Sequence, residues 1–214
     1  MNVTIIGSGN MARGIGTRLL SGGHSVTYMD RQPEKAKAAA SEVASQATKG
    51  AQAEGLALGS PIKDEMVILA IPYGATGEVI ERLGKQLDGK TIIDITNPLN
   101  ASYDGLAVAP GTSGAEEIAK KLPSHSTVLK AFNTTFAMTL LSGKVDGTQL
   151  DVFIAGDAAE PKAKFSQLVE DGGLRAIDAG RLDRSRQLEA LGFLGITLQD
   201  KMGTGYQSAW KILA

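Results

Sequence analysis

Short apolar runs alternate with longer segments of helical periodicity along most of the chain. The apolar runs lie at residues 3–6, 25–29, 66–71, 91–95, 126–132, 151–156 and 173–180. Helical patterns follow most of them, the first from about Gly9 and the others at residues 33–47, 75–87, 116–122, 161–173 and 181–202. Strands that alternate with helices in this way predict an α/β fold with a doubly wound, mainly parallel sheet.

A glycine-rich turn follows the first apolar run. Gly7, Gly9 and Ala12 occupy the small positions of the pattern G-x-G-x-x-G/A, between a predicted strand and a predicted helix. The first glycine permits a sharp turn, the second lets the backbone approach a pyrophosphate, and the alanine allows close packing of the helix on the strand. Amides of residues 8–11 would point at the anion, with the helix dipole behind them. The stretch predicts a dinucleotide-binding turn, and the alternative is a plain strand-to-helix turn.

Charged residues end the second apolar run, about 20 positions beyond the glycines, where such folds contact the adenosine ribose. Asp30 can accept hydrogen bonds from a ribose 2′-hydroxyl, which favours NAD. Arg31, and Lys35 one helical turn later, can bind a 2′-phosphate, which favours NADP. In a purely structural interpretation Asp30 caps the helix that begins near Pro33, and both cations are solvated. These residues leave NADP and NAD both open.

Composition narrows the classes of protein. The 214 residues are 43% hydrophobic, and 22 basic against 23 acidic residues give a formal charge of -1, which offers no general attraction to nucleic acid or to an anionic membrane. There is no cysteine, so disulfides and thiolate sites are excluded and a cytoplasmic location is expected. No apolar stretch has the length of a membrane span, and we expect no membrane association.

Candidate catalytic groups are few. His24 and His125 lie in predicted turns, and no histidine accompanies the acidic pairs at metal-ligand spacing, so we expect neither a catalytic histidine nor a metal site. Tyr206 and Lys211 are five positions apart, which does not fit the Tyr–Lys pair of a short-chain dehydrogenase. Tyr206 and Trp210 are interpreted as packing residues.

Several motifs, spread over essentially the whole chain, resemble one family. The motifs are GSGNMARG, YMDRQPEKA, AIPYGA, DITNPL, KAFNT and DAGRLDRSRQLEAL. They resemble the NADP-dependent oxidoreductases that use the deazaflavin coenzyme F420, and the last motif, at residues 178–191, is the most particular to that family. The same module is similar to the cytoplasmic domain of transmembrane metalloreductases, in which NADPH reduces a flavin. The resemblance implies a Rossmann-like domain over residues 1–150 and a small C-terminal helical lobe over residues 151–214.

The resemblance also implies which residues bind the cofactor. The pyrophosphate would be held by Ser8, Gly9, Asn10 and Met11 after the turn at Gly7, and the 2′-phosphate by Arg31 and Lys35; Ile71, Pro72 and Tyr73 would line the ribose and nicotinamide, and Asn97, Pro98, Asn133, Thr134 and Ala137 would complete the nicotinamide pocket. Phe136 is expected to face the acceptor ring. Two positions depart from the family, whose members commonly have a small hydroxyl residue in place of Asp30 and, in archaeal enzymes, a histidine in place of Asn133.

The expected activity is hydride transfer between NADP(H) and a deazaflavin or related flavin as co-substrate. Direct transfer between two stacked rings needs orientation and a dry pocket, so no dedicated catalytic residue is expected. Two alternatives are an imine or small carbonyl reductase and a dinucleotide-sensing module without turnover. The apolar C-terminal helix predicts a homodimer, because the small lobe offers it little cover.

Overall fold

The computed structural model describes residues 1–213 and has one large sheet flanked by helices. The strands are β1 (Asn2–Ile6), β2 (Ser25–Asp30), β3 (Ala53–Ala57), β4 (Met66–Leu69), β5 (Thr91–Asp94), β6 (Thr127–Lys130), β7 (Lys144–Val145), β8 (Thr148–Gln149), β9 (Asp151–Ala155) and β10 (Arg175–Gly180). The helices are α1 (Asn10–Ser21), α2 (Pro33–Val43), α3 (Thr76–Leu83), α4 (Gly114–Lys121), α5 (Ala137–Ser142), α6 (Ala159–Asp171) and α7 (Ser185–Met202).

The strand order in the eight-stranded sheet is β10-β9-β6-β5-β4-β1-β2-β3. Neighbouring strands from β3 to β6 are parallel. β9 and β10 are parallel to each other, and β9 pairs with β6 in the antiparallel sense. This arrangement confirms the predicted doubly wound, mainly parallel α/β sheet. The strand order reverses between β1 and β4, and such a reversal opens a ligand crevice beyond the carboxyl ends of the two strands.

The central parallel strands β1, β4, β5 and β6 are buried on both faces along most of their length, as expected when helices cover a sheet on both sides. Successive residues of β4 alternate between two hydrophobic clusters: Met66 and Ile68 belong to one, and Val67 and Leu69 to the other. The first cluster includes side chains of α1, α2 and α6, and the second includes side chains of α3 and α4. The helices therefore fix both faces and leave the carboxyl edge of the sheet for the loops.

Strand β3 was not predicted from the apolar pattern. It contains Gly55 and small residues, which weaken the signal of a strand. A Cβ at Gly55 would lie 2.3 Å from the backbone of Ala36 and Lys37, so the glycine lets α2 pack directly on this edge strand. The short helix α5 was also missed, and it packs on α1 at Gly14, where a Cβ would lie 2.9 Å from the Cβ of Leu140.

The boundary expected at residue 150 falls inside the sheet, because β9 and β10 extend the same sheet as the strands before it. The division of the chain at this boundary into a Rossmann domain and a C-terminal lobe stays a prediction. Helix α7 follows β10 and lies next to α4. Of the helices in residues 1–213, none combines the length and the apolar character needed to cross a membrane.

Candidate functional site

The turn after β1 is shaped by two glycines with different surroundings. Gly7 has a φ of +110°, and a Cβ there would lie 2.3 Å from the carbonyl oxygen of Ala70. Gly9 caps α1 with extended backbone, and no atom of the described chain lies within 4 Å of the place its Cβ would take. Gly7 therefore closes the turn, while Gly9 leaves an open approach to the first amides of α1.

The amino end of α1 has the properties of an anion-binding site. Within residues 1–213 no side chain caps its first amides, and its first turn contains no acidic residue. These amide donors carry the positive end of the helix dipole. Since the space above Gly9 is open, the fold offers a cradle that a pyrophosphate fits.

Three cavities surround this turn. The first, which we name the loop cavity, has a volume of about 210 Å³ and lies between the ends of β1 and β4. It brings together seven of the residues expected at the cofactor, namely Gly7, Ser8, Gly9, Asp30, Arg31, Ile71 and Pro72. Leu58, which follows the unpredicted strand β3, also lines it. It lies at the strand-order reversal, where folds of this kind bind a dinucleotide.

The second, the cationic cavity, is an open pocket of about 430 Å³ on the other side of Asp30. The expected residues here are Ser8, Gly9, Asn10, Asp30, Arg31 and Lys35, and the structure adds Arg13 and Gln32. Arg13 was not predicted, because its place on α1 gives no local sign that it faces the start of α2.

The Asp30 carboxylate is fixed by two hydrogen bonds at the border of these cavities. The Ser8 hydroxyl donates to Oδ2 at 2.6 Å, and the Gln32 amide donates to Oδ1 at 3.0 Å. Gln32 is the residue before Pro33 and caps α2. Asp30 therefore joins the glycine turn to the residue before α2, but the prediction that it caps the helix is wrong, because the N-cap residue is Gln32.

The third, the aromatic cavity, has a volume of about 390 Å³ and contains the expected residues Asn10, Met11, Asn97, Asn133 and Ala137. Phe136 lines it, as expected, and its ring meets that of Tyr206 edge-to-face at 5.4 Å. Tyr206 was interpreted as a packing residue, but it forms part of the cavity wall, as do Tyr103, Met138 and Ile196. No acidic, basic or histidine side chain is among the described residues that line this cavity.

A pair of asparagines lies at the inner end of the aromatic cavity. The Asn97 amide donates to the carbonyl of Asn133 at 2.8 Å, and the Asn133 amide donates to the Asn97 Oδ1 at 2.9 Å. Oδ1 of Asn133 is buried and has no donor within the described part of the chain. A Cβ at Gly192 would lie 2.4 Å from the Asn97 Oδ1, so this glycine lets α7 pack against the pair. The free acceptor suits an amide donor such as a carboxamide.

Three expected residues lie outside the three cavities. The Tyr73 hydroxyl donates a hydrogen bond to Glu117 of α4, and burial followed by this contact raises the pKa of the phenol. Pro98 and Thr134 are buried, and the Pro98 carbonyl accepts from the Ala107 amide at 2.6 Å. The assignments of Tyr73, Pro98 and Thr134 to the ribose and nicotinamide stay predictions. Since Tyr73 lines none of the three cavities, it would affect cofactor binding through its neighbours Pro72 and Glu117.

A buried ion cluster connects three of the sequence motifs below this edge. The Lys130 ammonium lies 2.8 Å from a carboxylate oxygen of Asp94, 2.9 Å from one of Glu189 and 2.5 Å from the carbonyl oxygen of Thr96. All three charged side chains are fully buried. Glu189 also accepts from the amides of Gly114 and Ala115 at the amino end of α4. Burial raises the pKa of the Glu189 carboxyl, and Lys130 opposes that shift.

This cluster explains the late motif at residues 178–191. Glu189 ties α7 to β5, β6 and α4, while Arg186 forms an ion pair of 2.6 Å with Glu116 of α4. The Asn133 amide donates to the Leu188 carbonyl at 2.8 Å. The motif therefore positions α7 as a wall of the aromatic cavity.

Known proteins are similar to this chain in sequence and in fold. The family model described as NADP oxidoreductase coenzyme F420-dependent matches residues 2–98. The F420-dependent NADP reductase of Methanothermobacter marburgensis is 32% identical over 94% of this chain and 93% of its own length. The metalloreductase STEAP3 of Rattus norvegicus is 34% identical over 88% of this chain, but the match spans only 36% of that longer protein.

A solved structure from Arthrobacter sp. FB24, described as a candidate F420-dependent NADP-reductase, superimposes with a TM-score of 0.82 at 26% identity and covers 99% of both chains. The sequence match to the archaeal reductase is nearly end to end, and the glycine turn lies within the region that the family model matches. The chain belongs to the family of coenzyme F420-dependent NADP oxidoreductases.

Proposed function

We propose that the protein is an NADP(H)-dependent oxidoreductase that exchanges hydride between the nicotinamide and coenzyme F420 or a related flavin. One observation carries the proposal: the three cavities form a continuous series around a single glycine turn. Ser8, Gly9, Asp30 and Arg31 line both the loop and cationic cavities, and Asn10 lines both the cationic and aromatic cavities. A dinucleotide lying along this series has adenosine at one end and nicotinamide beside the aromatic wall.

The bound nicotinamide supplies or takes up the hydride, and the chain supplies binding, orientation and exclusion of water. The amides after Gly9 would hold the pyrophosphate. The Asn133 Oδ1 would accept a hydrogen bond from the carboxamide and so favour one orientation of the nicotinamide ring. Phe136 and Tyr206 form an apolar wall for a second flat ring, and the uncharged lining leaves proton exchange to solvent or to the acceptor itself.

The activity is tested by mixing the protein with NADPH and oxidised F420 without oxygen and following the loss of nicotinamide absorbance. FMN, riboflavin and a cyclic imine replace F420 in parallel reactions. The Gly9→Val variant, in which the valine blocks the pyrophosphate cradle, is the negative control for cofactor binding. We expect turnover with F420 or a flavin. Turnover with the imine alone would indicate the imine-reductase alternative, and binding of NADPH without turnover of any acceptor would indicate the sensing module.

An Arg31→Ala variant is expected to bind NADPH more weakly by about 1–3 kcal/mol, while NADH binding changes little. Arg31 is exposed at the cationic cavity, where its guanidinium can form charge-assisted hydrogen bonds to a 2′-phosphate. The measurement is the dissociation constant of each cofactor by fluorescence titration, with Lys37→Ala at an exposed position of α2 as the matched control. Equal losses for NADPH and NADH would remove Arg31 from phosphate binding.

We also propose a cytoplasmic homodimer. Several large apolar side chains are about half exposed, among them Met138 at 53%, Leu141 at 50%, Leu194 at 47% and Met202 at 59%. A second copy would cover such surface, and the cysteine-free chain is compatible with a reducing compartment. Sedimentation equilibrium should give twice the mass of the chain, and a monomer at micromolar concentration would contradict the dimer.

A further inference from the structure

We propose that Arg13 is a third phosphate-binding residue, which offsets the negative charge of Asp30 and so determines the preference for NADP over NAD. The inference rests on the proposed function, because it concerns the same cofactor site. It starts from the cationic cavity, where Arg13, Arg31 and Lys35 lie around the Asp30 carboxylate.

The charges that line the cavity indicate that a third cation is needed to bind a phosphate beside Asp30. A phosphate monoester carries a charge of about −1.5 to −2 at neutral pH. With Asp30 beside it, Arg31 and Lys35 alone leave a formal surplus of one positive charge among the residues that line the cavity. Arg13 raises that surplus to two, and Glu42, which pairs with Arg13 from outside the lining, offsets part of the added charge. Arg13 therefore brings the surplus closer to the charge of a 2′-phosphate, whereas without Arg13 the carboxylate would cancel half of the attraction.

Asp30 cannot turn away from the cavity without losing its contacts. Its two oxygens accept from the Ser8 hydroxyl and the Gln32 amide, and these hydrogen bonds hold it between the turn and α2. The repulsion of a phosphate is therefore a fixed property of the site, and a fixed positive charge must oppose it.

Several N–H donors of Arg13 have no hydrogen-bond acceptor among the described residues. One terminal nitrogen, Nη1, forms an ion pair of 3.2 Å with Glu42 of α2, whose side chain is 60% exposed. Its Nε is buried and has no acceptor in residues 1–213. A guanidinium presents five N–H donors, so the pair with Glu42, near the carboxyl end of α2, holds the side chain against α2 and leaves donors for an oxyanion.

The test uses 2′,5′-ADP and 5′-AMP, which differ only in the 2′-phosphate, in calorimetric titrations of the full chain at low ionic strength, where screening is weak. Arg13→Met is expected to weaken 2′,5′-ADP binding about tenfold and to change 5′-AMP binding by less than about twofold. Arg13→Lys should keep most of the affinity, because it keeps the charge. Glu42→Gln is the matched control for the ion pair: it should leave 2′,5′-ADP binding unchanged or tighter.

A double variant tests whether the charges compensate. Asp30→Asn keeps the shape and removes the charge: the amide oxygen can still accept from the Gln32 amide, and the amide nitrogen can donate to the Ser8 hydroxyl, which then accepts. This variant should tighten 2′,5′-ADP binding. Arg13→Met combined with Asp30→Asn should return the affinity close to that of the wild type. Thermal unfolding of each variant verifies that the fold is retained, and Arg13→Lys keeps the proposal testable if Arg13→Met does not fold.

The outcomes separate this inference from the proposed function. If the wild-type chain binds 2′,5′-ADP no better than 5′-AMP, the preference for NADP fails, and the inference fails with it. If the wild type prefers 2′,5′-ADP and Arg13→Met keeps the same preference, only the role of Arg13 is overturned. Equal losses in Arg13→Met and Glu42→Gln would assign Arg13 to the structural ion pair instead.

Discussion

A Gly9→Val variant is expected to fold normally and to bind NADPH at least about a hundredfold more weakly than the wild type, a loss of about 2.8 kcal/mol. The backbone at Gly9 has φ −74° and ψ −175°, a conformation that any residue adopts. Because no described atom lies within 4 Å of the position of the new Cβ, the protein itself has room for the side chain. The valine would instead fill the approach by which a pyrophosphate reaches the first amides of α1.

The measurement for Gly9→Val is a fluorescence titration with NADPH, accompanied by thermal unfolding. Gly74→Ala is the matched control, since Gly74 is exposed and also has no described atom within 4 Å of its Cβ position, but it lines none of the three cavities. A folded Gly9→Val protein with unchanged affinity would show that the cradle does not hold the dinucleotide.

Replacing Lys130 by methionine is expected to lower the free energy of unfolding by about 3–5 kcal/mol. The substitution leaves the buried carboxylates of Asp94 and Glu189 facing each other without their shared cation. Repulsion would loosen the contact of α7 and α4 with the ends of β5 and β6. Chemical denaturation measures the loss, and Lys37→Met at an exposed position of α2 is the control.

The loss in Lys130→Met is expected to be smaller in acid. Burial already raises the pKa of Glu189, and removal of Lys130 takes away the influence that lowers it. Between the unfolded value of about 4.3 and the raised folded value, the native state binds more protons than the unfolded state, so stability falls as the pH rises through that window. The difference from the wild type should therefore grow from pH 5 to pH 8. A difference independent of pH would contradict the prediction, and Glu189→Gln added to Lys130→Met should recover part of the stability.

The spacing of hydrophobic residues and the residue types in the turns made much of the fold predictable. The alternation of strands and helices indicated the doubly wound sheet, and the turn at Gly7 and Gly9 was located from the spacing of its glycines. Strand β3 was missed because four of its five residues, an alanine at each end, Glu54 and Gly55, are of types that are depleted in strands. The loop and cationic cavities contain the expected residues at the ends of β1, β2 and β4, since the carboxyl ends of parallel strands share one edge.

The candidate site was less completely predictable from the sequence than the fold. The aromatic cavity was only partly anticipated, because Tyr206 lies far along the chain from Phe136 and reaches it only after α7 is in place. The assignment of individual residues to the ribose, the pyrophosphate and the nicotinamide stays a prediction that the variants above test.

The sequence by itself determined the alternation of most strands and helices, the position of the glycine turn and the resemblance to the family, because hydrophobic periodicity, turn geometry and motifs are properties of neighbouring residues. Only the tertiary structure decided that Asp94, Lys130 and Glu189 meet in one buried cluster, and that Arg13 shares a cavity with Arg31. These contacts join residues from separate elements, and their distances depend on how closely the helices pack on the sheet.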